Sequence, residues 1–241
     1  MQNNYYSTYS CINIYERPSI NAKISSQIIY GEKFKVLRKI KSFLKIRTSY
    51  DRYTGYIKNK KFIKKFKPTH KVKVLKTRIY NSNSFLPFSS EIEIIKKKKN
   101  YVMLKKNKWI KLKDITLINK KEKNFIKIFK LFTNCKYKWG GKTYQGIDCS
   151  ALVQIFYKFN NKFFPRDTVD QIKYKKVNII KKKFKKGDII FWKGHVAVCI
   201  DSKKLIHAYG PEKKVIIMPI HKTIKRIERT AKLKVKKVFR I

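Results

Sequence analysis

One cysteine stands where a helix is expected to begin. Cys149 follows a glycine-rich loop and Asp148, and it opens an amphipathic run over residues 149–159. Asp148 is a typical N-cap, so Cys149 is predicted to lie in the first helical turn. Unpaired amides there stabilise a thiolate, which is expected to lower the pKa of Cys149 below about 8.5. The same amides can bind the oxyanion of an attacked carbonyl. The pattern favours a nucleophile over a buried structural cysteine.

Two of the four histidines lie on consecutive predicted strands. His195 precedes the apolar run 196–200, and His207 follows a turn within residues 201–204. Because side chains alternate along a strand, a three-residue connection places both histidines on one face, whereas two or four residues place them on opposite faces. His195 is predicted to act as general base towards Cys149 and then as acid. His207 is expected to fix its tautomer.

A zinc site is the alternative use of the same cysteine and two histidines. It would need Cys149, His195 and His207 as ligands. No fourth ligand stands at a usual spacing in the sequence. The pattern therefore favours nucleophilic catalysis over metal binding.

Several motifs around these residues resemble the NlpC family of papain-like cysteine peptidases in order and spacing. In chain order they are Tyr137-x-Trp139-Gly140-Gly141, Gly146-x-Asp148-Cys149-Ser150, Pro165-Arg166-Asp167-Thr168, residues 186–192, Gly194-His195-Val196-Ala197 and Ile206-His207-Ala208. The resemblance covers residues 135–220. It implies a cysteine-type endopeptidase that acts on bacterial cell-wall peptides and uses no metal or cofactor.

The resemblance is to the subgroup of γ-D-glutamyl–L-diamino acid endopeptidases, which take wall-derived peptides with a free N-terminal L-alanine. It implies that the substrate pocket is lined by Tyr137, Asp148, Ser150, Asp167 and Thr168. Thr168 stands where the family has serine and keeps the hydroxyl. The Asp148 carboxylate is suited to pair with the substrate ammonium, in competition with N-capping.

In the same subgroup the first N-terminal domain closes the pocket. By position, the candidates for this role are Glu16 and Tyr53. Glu16 follows a predicted strand that ends at residue 15, and Tyr53 lies in a predicted turn over residues 51–55. The alternative is that both are ordinary surface residues.

The first 118 residues are predicted to form short strands. Residues 13–15 are echoed by 78–80, and residues 55–58 by 108–111. Two small barrels of about five strands each fit this order, over residues 1–67 and 68–118, and they resemble bacterial SH3-like domains. Chance similarity between hairpins remains the alternative for the second copy.

The pattern changes near residue 119, so we assign residues 119–241 to the peptidase domain. Helices are predicted over residues 124–132 and 149–159. Strands follow over residues 188–192, 195–200, 205–209 and 215–217. The expected fold class is α+β, with helices packed on an antiparallel sheet behind two SH3-like barrels.

The chain is strongly basic, with 62 Lys and Arg against 14 Asp and Glu and a formal net charge of +48. Such a charge attracts polyanions, but lysine is scattered from Lys23 to Lys237, which fits a biased composition equally well. Since no nucleic-acid reader motif is present, we expect no nucleic-acid partner. No stretch approaches the roughly 18 uncharged apolar residues of a membrane span.

The cysteines suggest a compartment. Their spacing shows no CxxC or framework pattern, which favours free thiols in a reducing cytoplasm. The N-terminal residues also lack the basic and apolar regions of a secretory signal. We therefore expect a cytoplasmic location for the protein.

The expected function is hydrolysis of the γ-D-glutamyl–L-diamino acid bond in peptidoglycan-derived peptides, for muropeptide recycling. A secreted hydrolase of intact wall, tethered by its SH3-like domains and charge, is one alternative. A non-catalytic polyanion-binding protein is another, and it predicts salt-sensitive binding that survives Cys149→Ala. Acyl transfer to an amine would use the same Cys–His chemistry.

Overall fold

A six-stranded antiparallel sheet forms the first unit of the computed structural model, which describes residues 4–105, 107–174 and 183–241. Its strands are β1 (Asn4–Tyr6), β2 (Cys11–Tyr15), β3 (Ile24–Ile29), β4 (Lys33–Ile40), β5 (Phe43–Thr48) and β6 (Thr54–Lys58). Their order in the sheet is β1-β4-β5-β6-β2-β3. Alternation builds the core: β2 buries Ile12 and Ile14 and leaves its other residues half-buried, as a strand with one solvated face requires.

This sheet is open, which corrects the expected barrel. Within the described residues, β1 and β3 are its two edges and do not pair with each other. The edge strand β3 packs instead against the glycine-rich loop before Cys149, where the Gln27 side chain accepts a hydrogen bond from the Lys142 amide at 2.8 Å. Gly140, at φ +72°, lies so close that a Cβ there would stand 2.6 Å from the Ile24 carbonyl oxygen. The contact therefore needs glycine.

The second unit is built from short antiparallel strands. They are β7 (His70–Val72), β8 (Lys76–Ile79), β9 (Ser84–Pro87), β10 (Glu91–Ile92), β11 (Lys96–Lys98), β12 (Tyr101–Lys105), β13 (Lys108–Lys111) and β14 (Ile115–Leu117). The described strands form two three-stranded sheets, β10-β7-β14 and β11-β12-β13, and the β8-β9 hairpin, none of which closes into a barrel. A short 3-10 turn, Leu112–Asp114, precedes β14.

The sequence echo between the two units corresponds to equivalent pairings. Tyr15 of β2 pairs with Tyr56 of β6 in the first unit. In the second unit Tyr80, directly after β8, bridges to Trp109 of β13. The residues that echo each other in sequence therefore hold the same position in both β-units.

The third unit carries the four helices of the described chain. Its elements are α1 (Phe125–Leu131), β15 (Lys142–Thr143), β16 (Gly146–Ile147), α2 (Cys149–Phe159), α3 (Thr168–Gln171), β17 (Asp188–Trp192), β18 (His195–Cys199), β19 (Lys204–Tyr209), β20 (Lys214–Pro219), α4 (Ile220–Ala231) and β21 (Lys237–Arg240). Five strands form an antiparallel sheet in the order β20-β19-β18-β17-β21. The α+β class is confirmed.

The sheet separates two apolar layers. One face, with Val196 and Val198, packs against α2, of which all 11 residues are buried. The other face, with Ala197 and Cys199, packs under Ile220 and Ile227 of α4. A helix buried on every side is a core element, so α2 holds Cys149 on a rigid support. Among the described residues, no helix is long and apolar enough to cross a membrane.

Candidate active site

Cys149 lies in the first turn of α2, as expected, and its position is fixed by the residue before it. Asp148 is the N-cap, and its carboxylate accepts a hydrogen bond from the Ala151 amide at 2.8 Å. The backbone amides of Val196 and Ser150 are close enough to the Cys149 sulfur to lower the pKa of its thiol. Val196 follows His195, so the sulfur lies at the beginning of β18, where α2 and the sheet meet.

Burial dominates the electrostatics of this cysteine, and the expected low pKa of Cys149 is wrong for this state of the site. The side chain is 5% exposed. Burial first and the Asp148 carboxylate second raise the pKa of the thiol to about 12, although the Val196 and Ser150 amides lower it in part. Burial also lowers the pKa of His195 to about 4. At neutral pH the pair therefore rests as a thiol and a neutral imidazole.

The two histidines share one face of the sheet. Ile200 donates to the Lys204 carbonyl at 2.9 Å, so the connection between β18 and β19 is the three residues 201–203. The register pairs Val198 with Ile206, which puts His195 and His207 on the face under α4. Their rings meet, with 2.9 Å between Nε2 of His195 and Nδ1 of His207. This contact uses Nε2 of His195 and leaves Nδ1 as its other ring nitrogen.

His207 is enclosed on its remaining sides. Its ring stacks on Tyr209, with 4.5 Å between centroids and an angle of 11°, and its Nε2 lies 3.4 Å from the Met218 sulfur. The Arg226 guanidinium covers Tyr209 at 5.4 Å. Burial, His195 and Arg226 together hold the pKa of His207 well below its usual value. His207 is therefore a neutral partner of His195.

Asp148 is saturated by partners within the protein. Its two oxygens accept hydrogen bonds from the Gly140 and Ala151 amides, the Ser150 hydroxyl and both terminal nitrogens of Arg166. The Arg166–Asp148 ion pair is 2.6 Å long and buried. The structure therefore shows N-capping and a buried ion pair for this carboxylate, which also lines the pocket described below; its pairing with a substrate ammonium stays a prediction.

A pocket of about 250 Å³ opens beside Cys149. Seven of the residues expected at the site line it, namely Glu16, Tyr53, Asp148, Cys149, Ser150, Asp167 and Thr168; the other lining residues are Ser25, Trp139, Val169 and Gly194. Its walls thus come from the first β-unit as well as the third unit. The structure places Glu16 and Tyr53 in this wall rather than on a remote surface.

Asp167 offers the pocket a carboxylate that the helix does not use. It is the N-cap of the short helix α3 but makes no side-chain capping hydrogen bond. Burial raises the pKa of Asp167, although the neighbouring Arg166 lowers it in part. A cation bound in the pocket would stabilise the charged carboxylate and so offset the effect of burial. Tyr53 and Ser25 line the same pocket. Burial raises the pKa of Tyr53, and the Ser25 side chain lowers it in part.

Tyr137 lies outside the pocket lining. It packs half-buried against the core around α2, and burial raises its pKa, with the neighbouring Cys149 adding to the effect. The structure therefore brings Tyr137 close to Cys149 rather than to the pocket wall.

Four residues that matter here were missed from the sequence. Arg166 belongs to the Pro165-Arg166-Asp167-Thr168 motif, and Trp139 precedes Gly140. Both could therefore have been assigned to the site from the sequence. Trp139 is 63% exposed at the pocket rim. Ser25 and Met218 carry no local signal, because each reaches the site through strand pairing. Within the described ranges, no three His, Cys, Asp or Glu side chains group as a metal ion would need.

Comparison with known proteins gives two domain matches. The NlpC/P60 family matches residues 134–231, and the bacterial dipeptidyl-peptidase Sh3 domain matches residues 14–62. The chain is 24% identical over 230 residues to dipeptidyl-peptidase 6 of Lysinibacillus sphaericus, covering 81% of this chain and 84% of that protein.

A second relative matches over a shorter region. It is the gamma-D-glutamyl-L-lysine dipeptidyl-peptidase of Bacillus cereus, 34% identical over 100 residues, covering 38% of this chain and 30% of that protein. Among solved structures, an NlpC/P60 family protein from Bacillus cereus superposes with a TM-score of 0.83 at 19% identity, covering 98% of this chain and 99% of that one. This likeness shows a shared fold along the whole described chain.

Proposed function

We propose that this chain, a cysteine-type peptidase that carries an NlpC/P60 domain behind a bacterial SH3 domain, hydrolyses the γ-D-glutamyl–L-diamino acid bond of peptidoglycan peptides with a free N-terminal L-alanine. One observation carries the proposal. The pocket beside Cys149 is walled by the first β-unit and presents the carboxylates of Glu16 and Asp167. Both relatives described above bear dipeptidyl-peptidase names.

In the proposed reaction Cys149 is the nucleophile. His195 takes the thiol proton at Nδ1 as the sulfur attacks the γ-carbonyl of the D-glutamyl residue. First-turn amides of α2 stabilise the oxyanion. The imidazolium then protonates the amine of the diamino acid, which leaves, and water hydrolyses the thioester with His195 again as base. His207 holds the His195 ring through the 2.9 Å contact at Nε2.

Substrate selection follows from charge and closure. The ammonium of a free L-alanine pairs with Asp167, whose carboxylate is desolvated and makes no capping bond, and with Glu16 across the pocket. Ser150 and Thr168 offer hydroxyls in the same wall. A pocket of about 250 Å³ accommodates a short peptide end. A blocked amine carries no charge to compensate these carboxylates.

This specificity supports a role in recycling. In an intact wall the L-alanine amine is acylated by the sugar, so a free amine belongs to a peptide already released from the glycan. We place the reaction in the cytoplasm, since all four cysteines are free thiols, which is typical of a reducing compartment. Strong release of peptide from intact sacculi would contradict this part of the proposal.

The amine-recognition step is tested with Asp167→Asn. Loss of a charged hydrogen bond should lower kcat/KM for L-Ala-γ-D-Glu-diaminopimelate by about tenfold or more, while the slow reaction of the N-acetylated peptide stays unchanged. Asp170→Asn, an exposed carboxylate on the same helix, is the matched control and should behave as wild type. Wild-type kcat/KM in Asp167→Asn towards the free-amine peptide would refute the assignment.

A further inference from the structure

A chain of hydrogen bonds leads from His195 through His207 to a methionine. His195 Nε2 and His207 Nδ1 are 2.9 Å apart, and His207 Nε2 lies 3.4 Å from the Met218 sulfur. The strands β18, β19 and β20 supply these three residues in turn. Met218 is opposite Leu205 in the register of β19 with β20, so it shares a face with His207.

A thioether has lone pairs but no proton to give. A hydrogen bond to it can only run from a donor on the other side. Nε2 of His207 must therefore carry its hydrogen, and Nδ1 of the neutral ring is then an acceptor. His195 must in turn donate from Nε2, so its Nδ1 is left with a free lone pair. That lone pair is what Cys149 needs from a general base.

The opposite tautomer would disable the pair. With its hydrogen on Nδ1, His207 would donate to Nε2 of His195. The hydrogen of neutral His195 would then sit on Nδ1, towards the nucleophile, where it accepts no proton. An imidazolium at His195 would also place two N–H groups face to face between the rings, since His207 would keep its hydrogen on Nδ1. The direction of every bond in the chain thus follows from which nitrogen of His207 is protonated.

We infer that Met218 is a positioning residue for the peptidase reaction: its sulfur selects the Nε2–H tautomer of His207 and so orients His195 as a base. The inference concerns the Cys–His chemistry and holds for any acyl substrate of this site. It does not depend on recognition of the free amine by Asp167 and Glu16.

The other groups around His207 do not determine which of its ring nitrogens carries the hydrogen. Tyr209, on the same strand, offers only its ring face at 4.5 Å. Arg226 of α4 stands beyond that ring and is paired with Glu212 at 2.7 Å. His195 of β18 accepts or donates according to the tautomer it is given. Of the contacts described for His207, the Met218 sulfur is the one with a fixed direction.

The test is Met218→Leu, which keeps apolar volume and removes the acceptor. Met103→Leu, in β12 of the second unit, is the matched control for a methionine-to-leucine change. We expect kcat of Met218→Leu to fall about fivefold, the factor that one hydrogen bond contributes, with KM unchanged. Alkylation of Cys149 by iodoacetamide should slow by the same factor, a readout that needs no peptide substrate.

Nitrogen-15 spectra of histidine-labelled protein report the tautomers directly. In wild type, His195 and His207 should both show Nε2–H, and in Met218→Leu the His207 signal should move towards a mixture of tautomers. Met103→Leu should match wild type in every measurement. A wild-type His207 protonated at Nδ1 would overturn the inference. So would a Met218→Leu variant that keeps wild-type tautomers, or one that keeps wild-type kcat and alkylation rate.

Discussion

His195 and Cys149, the proposed catalytic pair, have a resting protonation state that is set by burial. Desolvation disfavours both charged forms: it lowers the pKa of the imidazole to about 4 and raises that of the thiol to about 12. Helix amides alone favour a thiolate, but here they are outweighed. The pair therefore stores its proton on sulfur and moves it to nitrogen during attack, when the substrate carbonyl receives the charge.

The pH profile tests this resting state. The reaction needs His195 neutral, and a group with a lowered pKa stays neutral until the pH falls through that lowered value. We expect kcat/KM to be level from neutral pH down to about pH 5 and to fall through about pH 4. Initial rates across this range, with stability checked at each pH, measure it. An acid limb near the ordinary histidine pKa of about 6.5 would contradict the assignment.

At the scale of elements, α2 is tied to the N-terminal units along its whole length. At its beginning, Arg166 joins the Asp148 cap to the Ser26 hydroxyl of β3 at 3.0 Å. In its middle, Gln154 donates to Asp51 at 2.9 Å. Near its end, Lys158 lies 3.3 Å from Glu32, and Lys71 of β7 donates to the Phe159 carbonyl. The helix that carries the nucleophile is thus positioned by both β-units.

Glu32 is the charge that this junction most depends on. It is 5% exposed and faces two buried lysines, Lys142 at 3.5 Å and Lys158 at 3.3 Å. Glu32→Gln leaves these cations undercompensated in a buried site, so we expect the free energy of unfolding to fall by about 3 kcal/mol. Urea unfolding followed by tryptophan fluorescence measures this change.

An exposed ion pair provides the matched control for Glu32. Glu122 pairs with Lys127, whose side chain is 70% exposed, and such pairs contribute less than about 1 kcal/mol. Glu122→Gln should therefore leave the unfolding curve nearly unchanged. Equal effects of the two substitutions would show that the buried network does not hold the units together.

Local pattern was enough to predict the elements that carry the nucleophile. The N-cap Asp148 and the apolar stripe after it place α2 correctly, and β17 agrees with its predicted bounds, because a cap and a continuous apolar run are local signals. The helix α4 was missed among predicted strands, although Ile220, Ile224 and Ile227 have helical spacing. Its frequent lysines obscure that stripe.

Contacts between segments that are distant in sequence could not be predicted from local sequence patterns. Arg166 binds Ser26 across 140 positions of sequence, and no spacing rule links them. The prediction of closed barrels was wrong for the same reason, because closure depends on whether the edge strand β3 pairs with β1 or packs against another segment. The Arg166 ion pair of Asp148 could not be predicted either, since it joins two separate motifs. Burial of Cys149, which sets its pKa, is likewise a property of the assembled units.

At the scale of the whole molecule, the pocket exists only because the units come together. Glu16, Ser25 and Tyr53 reach it from the first β-unit, and Asp167 and Cys149 from the peptidase unit. The first β-unit therefore forms one wall of the pocket, and this wall is the basis of the proposed specificity for peptide ends.

The most direct test of this account is mass spectrometry of products from L-Ala-γ-D-Glu-diaminopimelate with its amine free or acetylated. Wild type and the control Cys11→Ala should release L-Ala-γ-D-Glu from the free-amine peptide far faster than any product from the acetylated one, and Cys149→Ala should release nothing. Equal cleavage of both peptides, or cleavage that survives Cys149→Ala, would contradict the account.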